Sequence, residues 1–427
     1  MKNLKKFIHI LIWSIFFLKG LIENLDFYPR QLNLLALLLI ALLFSEILVK
    51  RKTHRPPFLK GVLLLILVCI ISAIVVNSLG YIEVFYFFRI LILPHYLYLI
   101  VIINEKNDSI VQLVIKLILM FFLLQIPASF VKYLLVGNTE MYIGTVSLKE
   151  GSVTTLVALF GACYSISKYL YKKNSKYILL FFLFVIFSQI GGKRGVLVYL
   201  PIIIGAMYFY FISINRTRMI NVIKKSFSIT FLTIVVLYSI VRLNPSFNKE
   251  SKLGGSFDIS YALDFIDYYN DNNDDLRDMS RPQALIYMFV YFTNQDLVTI
   301  LFGEGAGKLT YASSELFVED TKSPIEHYYG IRYGGRMGIV WIGAQIGLVG
   351  SLIFLTILYK MLRYVLRQRV DDFHKMVFLG LWLTVILDIF TYSMVSLNYF
   401  IFAGILFTYF GVFVRDQKMG RKLLTSK

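Results

Sequence analysis

The stretch EHYYGIRYGGRMGIVWIGAQIGLVGSLIFL, residues 326–355, decides how the whole chain is read. Its first eleven residues are polar and glycine-rich and carry Arg332 and Arg336. The rest is apolar and long enough to cross a hydrocarbon core of about 30 Å, which takes about 20 helical residues. A watery segment therefore runs straight into a membrane span. It does so at the end of a polar insert, residues 244–333, that holds 14 of the 26 acidic residues and only 7 of the 44 lysines and arginines.

On either side of that insert the chain hardly leaves the apolar register. Of its 427 residues 57% are hydrophobic, and the mean hydropathy is +0.68. Twelve spans are expected, at 7–23, 32–49, 59–79, 83–103, 109–135, 152–171, 177–190, 195–213, 226–243, 334–359, 375–394 and 398–414. The apolar runs are continuous, which excludes a β-barrel, whose strands alternate. The fold class is all-α, a polytopic integral membrane protein of about 12 transmembrane helices with one large extracytoplasmic loop. Residues 1–243 form helices one to nine, 244–333 the loop, and 334–427 helices ten to twelve with a basic tail. The start, MKNLKKFIHILIWSIFFLKG, lacks a small-residue cleavage site and is read as the first span. Cys69 and Cys163 fall inside apolar runs as small hydrophobes, so neither a disulfide framework nor a metal cluster is implied.

The net charge of +18 would suggest nucleic acid on a soluble protein, but cytoplasmic loops of membrane proteins collect lysine and arginine. MKNLKK, KRKTHRPPFLK, YKKNSKY, NRTRMINVIKK, the 360–375 loop and the RDQKMGRKLLTSK tail alternate onto one face and, with Lys106, carry 26 of the 44 basic residues. That face is expected in the cytoplasm, with both termini. The insert is then outside, and no nucleic-acid partner is expected.

Within the insert, 280–301 (SRPQALIYMFVYFTNQDLVTIL) predicts a helix. Ser280 suits an N-cap and Pro282 the first turn. Leu285, Ile286, Phe289, Val290 and Phe292 suit an amphipathic helix lying on the membrane or on the bundle. FGEGAG then breaks it. The acidic run Asp271, Asp274, Asp275, Asp278 lacks calcium-loop spacing and reads as a solvated loop.

Basic residues should be scarce outside, yet arginines collect there. Arg194 lies in GGKRG, Arg281 opens the external helix, and Arg332 and Arg336 lead into span ten. Arg89 lies about 9 Å inside span four, at 1.5 Å per residue. A buried arginine in a membrane is costly and faces a protein interior or a watery cavity. Arginine also grips phosphate with a fixed fork of donors. An anionic ligand at the outer face is implied, a diphosphate above all. Arg242 and Lys19 can instead snorkel to the interface, and Arg89 can instead pair with Asp388. Arg194, Arg332 and Arg336 are each followed, after ten intervening residues, by a glycine: Gly205, Gly343 and Gly347.

These features resemble the bacterial O-antigen ligase and O-antigen polymerase family. GGKRGVLVYLPIIIG is similar to its Arg-Gly segment opening a span, SRPQALIY followed by LFGEGAG to its external-loop signature, and RMGIVWIGAQIGLVGSLIF to the segment closing its loop. The ligases place a His-Asn-like pair where this chain has Arg336 and Met337, which favours the polymerase branch. The resemblance implies a GT-C-like architecture. It also implies transfer between undecaprenyl-diphosphate-linked oligosaccharides, with no metal or other cofactor, beside a flippase and a chain-length regulator. Arg194 and Arg336 would bind the donor diphosphate, with Arg332, Arg281 and Arg89 as further contacts. His327 and Glu326 are the candidate bases or, equally, loop anchors. Tyr328, Tyr329, Tyr333 and Trp341 are the aromatic residues that could stack on sugars, of which Tyr328 and Tyr333 are taken as binding candidates. A ligase, a flippase of lipid-linked oligosaccharide and an acyltransferase are the competing classes.

Overall fold

The computed structural model describes residues 2–23, 29–50, 54–55, 57–136, 144–146, 151–190, 195–215, 238, 242, 250, 255–256, 281–309, 328–329, 337–368, 372–391 and 400–419. Among the described residues the chain is all-helical, with no strand. Up to the insert the helices are α1 (Lys2–Phe17), α2 (Lys19–Glu23), α3 (Pro29–Val49), α4 (Leu59–Ile70, continued by a π-helical turn Ile71–Val76), α5 (Tyr81–Leu91), α6 (Leu93–Asn104), α7 (Asp108–Val136), α8 (Ser152–Lys172), α9 (Lys176–Ile190) and α10 (Gly195–Asn215). Within and after it come α11 (Arg281–Thr293), α12 (Leu297–Phe302), α13 (Gly338–Arg367), α14 (Asp372–Thr391) and α15 (Phe400–Lys418).

Seven of these are long and apolar enough to cross a membrane: α3, α4 with its π turn, α7, α8, α13, α14 and α15. They match seven of the twelve expected spans. The expected span 83–103 is instead two helices, α5 and α6, bent by 55° at Ile92, and counts as an eighth if taken as one span. Pro94 in the first turn of α6 explains the bend, because its ring and missing N–H forbid a continuous helix. The spans expected at 7–23, 177–190 and 195–213 fall on α1, α9 and α10, whose apolar stretches are shorter. The span expected at 226–243 lies outside the described residues, apart from the isolated positions 238 and 242.

Other boundaries also move. Span ten starts at Gly338 rather than 334 and stays helical to Arg367, so much of the expected 360–375 loop is helix. The helix expected over 280–301 is broken at Asn294–Asp296 into α11 and α12. The bundle core is aromatic. Trp13 Nε1 donates to the Tyr98 hydroxyl at 2.9 Å, His9 Nδ1 lies 2.8 Å from the same oxygen, and all three residues are fully buried. Gly161 of α8 lets the Phe184 ring of α9 come so close that an added Cβ would lie 2.4 Å from it, the small-residue contact common between membrane helices.

The two ends of the bundle differ. At one end the start of α1 meets the ends of α3, α6 and α15. Lys5 pairs with Glu46 (3.0 Å) and Glu105 (3.5 Å), while buried Arg415 donates to the Glu105 carbonyl (2.8 Å) and pairs with Asp108. These are the segments the alternation of basic loops assigns to one face. The other end carries α11, α12 and the glycine turn that follows them.

Candidate active site

The turn Phe302–Gly307 is the fastening point of that end. The backbone of α13 leaves helical geometry at Gly347 (φ +61°, ψ −166°), which splits the helix into 338–346 and 348–367. The break frees carbonyls that the glycine turn and the π turn then satisfy. Glu304 N donates to Ala344 O (2.8 Å), and Ser72 Oγ to Gln345 O (2.7 Å). Gly307 N donates to Gln345 Oε1 (3.0 Å), and Asn77 Nδ2 to Gly303 O (3.1 Å) and Ser72 O (2.7 Å). Gln345 is 1% exposed, so these bonds replace water that is absent.

Only glycine fits this crossing. A Cβ on Gly303 would lie 2.6 Å from Gln345 C and Gly347 N, and one on Gly347 would lie 2.5 Å from Gly303 N and Leu301 C. Both residues have positive φ, +77° and +61°. Gly307 approaches α5 as closely, with a built Cβ 2.2 Å from the Glu83 carbonyl oxygen. FGEGAG is therefore a latch joining α12, α13, the π turn and α5.

The latch holds one polar cluster. Glu304 accepts from Tyr291 at Oε1 (2.9 Å) and from Tyr329 at Oε2 (2.8 Å), and it pairs with Lys308 (2.8 Å). The Lys308 ammonium sits 5.0 Å above the Tyr328 ring, a cation–π contact. Burial, then the Glu304 carboxylate, pushes the Tyr291 phenol up to about 12 and the Tyr329 phenol further in the same direction. Both phenols are thus fixed as donors, and Glu304 as an acceptor.

A second cluster lies at the other end of α11. Arg281 and Asp388 both act electrostatically on the Tyr199 hydroxyl. That hydroxyl donates to Thr391 O (3.2 Å) and lies 2.9 Å from Thr391 Oγ1. Asp388 is 1% exposed, in the last two turns of α14. Gly195, which begins α10, fits against Tyr199 and Thr155: a Cβ there would lie 3.2 Å from the Tyr199 ring and 3.8 Å from the Thr155 methyl. The ends of α8, α10 and α14 therefore meet at one corner, with Arg281 of α11 within electrostatic reach of it. α11 lies on the first part of α13, with Ala284 and Met288 packed with Met337, Val340 and Ala344. Arg281 and Tyr291 are ten residues apart, so the clusters are about 15 Å apart along the helix axis. The large apolar residues Leu285, Ile286, Phe289 and Val290 face outward, 44–70% exposed.

Of the nine residues given a catalytic or binding role from sequence, the structure describes Arg281, Tyr328 and Arg89. Arg281 lies within electrostatic reach of the Tyr199 hydroxyl, and Tyr328 lies under Lys308. Arg89 joins neither; it lines a small cavity with Asn33, Pro94, His95 and Phe400. Arg194, Arg332, Arg336, His327, Glu326 and Tyr333 lie outside the described residues, as do Ser280 and the acidic run 271–278. Of the three glycines in the Arg-to-Gly spacing, only Gly347 is structurally required; a Cβ on Gly205 or Gly343 would meet nothing within 4 Å. Trp341, a candidate for sugar stacking, stacks on Phe87 instead (5.2 Å between centroids). Sequence reading missed Glu304, Lys308, Tyr291 and Tyr199. The one available signal was an acid set between glycines in FGEGAG. No protein-family model matches the chain, and no curated protein matches it.

Proposed function

We propose that the chain is a membrane glycosyltransferase of the polysaccharide-polymerase type, joining undecaprenyl-diphosphate-linked oligosaccharide repeat units at the outer face of a bacterial cytoplasmic membrane. The carrying observation is the corner where Tyr199 and Thr391 are hydrogen-bonded beside the start of α10, within electrostatic reach of Arg281 and Asp388. It provides a guanidinium with oriented hydroxyls at the end of the bundle opposite the basic ion-pair network. The resemblance of GGKRG, SRPQALIY and FGEGAG to the O-antigen polymerases supports the same reading.

In this reading an acceptor sugar hydroxyl attacks the anomeric carbon of the donor glycan. The new glycosidic C–O bond forms as the C–O bond to the diphosphate breaks, and undecaprenyl diphosphate leaves with the electron pair. Arg281, with Arg194 and Arg336, neutralises the charge that develops on that leaving group. Glu326 or His327 takes the proton of the acceptor hydroxyl. Glu304 and Lys308 hold the latch, with Tyr328 and Tyr329 beside it. The flippase and chain-length regulator would supply substrate and set product length.

The test is the size ladder of surface and lipid-linked glycan from cells with and without the gene, and from Arg281→Ala and Arg281→Lys cells. Surface single repeats without long chains are expected on deletion and in Arg281→Ala. Arg281→Lys should restore chains only in part, because it keeps the charge and loses the fork. Long chains stranded on the lipid carrier would identify a ligase instead, and repeats trapped inside the membrane a flippase. An unchanged ladder would refute the reading.

A further inference from the structure

We infer that residues 297–307, though part of the polar insert, dip into the membrane and return, and that lipid acyl chains cover the outward face of α12. The inference holds whichever side of the membrane this end of the bundle faces. It does not rest on the glycosyltransferase reading.

The depth follows from the register of α4 on α13. A Cβ on Gly61 would lie 3.4 Å from Ile357 Cγ1, and Ser72 Oγ donates to Gln345 O at 2.7 Å. The two helices are therefore antiparallel along most of α4. With its π turn α4 is 18 residues long, about 27 Å, close to a hydrocarbon core of about 30 Å. Val76, its last residue, thus marks the edge of the core. Ser72 is four residues short of Val76, and Gly347 lies two residues deeper than Gln345. The crossing of Gly303 with Gly347 is then about 9 Å inside the edge, at 1.5 Å per residue. From Leu297 to Gly303 is also only about 9 Å of helix, so α12 does not reach past the edge. Beyond the crossing the chain climbs back. A Cβ on Gly305 would lie 2.4 Å from Leu79 Cδ1 and one on Gly307 2.2 Å from the Glu83 carbonyl oxygen, both beyond Val76.

The chemistry of the dip suits that depth. α12 is LVTILF, without a charge, and the polar Asn294–Asp296 precede it at the edge. Backbone that leaves the helix within hydrocarbon must find its partners in the protein. Gly303 N donates to Thr299 O (2.8 Å), and the Gly303 carbonyl, Glu304 N and Gly307 N are all bonded in the latch. The single carboxylate of the dip, Glu304, is matched by Lys308 and two phenols, as a charge near hydrocarbon requires.

The outward face continues that of the spans beside it. α12 packs on both the π turn and α13. α4 carries an exposed stripe at helical spacing, Leu63, Leu67, Ile70 and Ile74, each 39–55% exposed. On α13, Leu348 and Leu352 are 53% and 55% exposed. Those residues belong to spans and face lipid. Leu297 and Val298 of α12, 69% and 45% exposed, stand beside them inside the same edge. A soluble partner would have to enter the hydrocarbon to cover them.

The experiment uses the full chain in vesicles of phosphatidylcholine and phosphatidylglycerol. A nitroxide is placed on Leu297→Cys, on Leu352→Cys as the lipid reference and on Ser175→Cys, in an exposed turn, as the water reference. The native Cys69 and Cys163 are buried, so the introduced thiol takes the label. Collision with oxygen is compared with collision with a charged nickel chelate, which hydrocarbon excludes. The oxygen-to-nickel ratio at Leu297→Cys should match Leu352→Cys and exceed Ser175→Cys about tenfold. Val298→Cys should give the same result and serves if Leu297→Cys does not fold. A ratio matching Ser175→Cys would put the face in water and overturn the inference. Low collision with both reagents would show a protein cover, from this chain or a second copy, and would overturn it equally.

Discussion

Gly347→Ala and Gly343→Ala are the same chemical change four residues apart on one helix, and the structure predicts opposite results. At Gly343 the backbone is helical and a Cβ meets nothing within 4 Å, so alanine should stabilise by about 0.5–1 kcal/mol through lower backbone entropy. At Gly347 the Cβ lies 2.5 Å from Leu301 C and Gly303 N, and φ is +61°. Backbone at φ +61°, ψ −166° is essentially confined to glycine and costs an alanine about 1–2 kcal/mol or more. Relieving the clash parts the latch and forfeits three hydrogen bonds, Glu304 N to Ala344 O, Gly307 N to Gln345 Oε1 and Asn77 Nδ2 to Gly303 O. At about 0.5–1.5 kcal/mol net for each, the total comes to roughly 3–6 kcal/mol. At a factor of ten for each 1.4 kcal/mol, amide exchange across 297–309 should quicken by roughly 100- to 10,000-fold in Gly347→Ala. Exchange in α8 and α14 should hardly change. Hydrogen-exchange mass spectrometry on both variants in detergent reads this directly. Equal protection of 297–309 in the two variants would refute the latch.

Two further outcomes follow from the polar groups at the two ends. Glu304→Gln should lower the unfolding temperature by the loss of charge-assisted bonds to Tyr291, Tyr329 and Lys308, about 1.5–3 kcal/mol in all after allowing for their partial exposure, and an unchanged unfolding temperature would show that the carboxylate holds nothing. The same cluster should loosen in alkali: because the Tyr291 phenol is raised to about 12, its contribution is complete below the ordinary phenol range near pH 10 and is lost as pH rises toward 12, where the unfolded chain has already released its proton, and phenolate titration of wild type against Tyr291→Phe should show that window, moved down in Glu304→Gln. At the opposite end Arg415 is 3% exposed and binds the Glu105 carbonyl and the half-exposed Asp108, so Arg415→Met should cost about 1–3 kcal/mol in thermal unfolding, chiefly by leaving the Glu105 carbonyl without its donor.

The membrane class was legible because each apolar run carries its own signal, independent of its neighbours. The basic end was legible for a similar reason: charge bias accumulates over many loops, and the structure does bring Lys5, Glu105 and Arg415 together. What escaped were features made by two distant segments. FGEGAG reads in sequence as a helix breaker, and nothing local tells that its glycines cross the backbone of Gly347. The Arg-to-Gly spacing looked like one repeated device, yet it joins one indispensable glycine to two that touch nothing. Asp388 stood out in sequence only as a possible partner for Arg89, and Tyr199 was hidden in an apolar helix whose other residues give no reason to single it out. Pro94 was the available sign that span four would bend, and hydropathy averaged it away.

The broken span bears on the choice between an enzyme and a carrier. Transporters use discontinuous helices near their binding sites and rock one part of the bundle against another. A bend serves that motion only if one arm is free. Here α5 is gripped at its first turn by Gly307 against the Glu83 carbonyl and at Phe87 by Trp341. α6 is held by Tyr98, which bonds Trp13 and touches His9, and by His95 between two rings of α15. Moving either arm must break backbone-to-backbone contacts or part a close-packed aromatic core, which is costly at interior packing density. A bend clamped on both arms shapes a wall. That favours a fixed chamber over a path that alternates its opening.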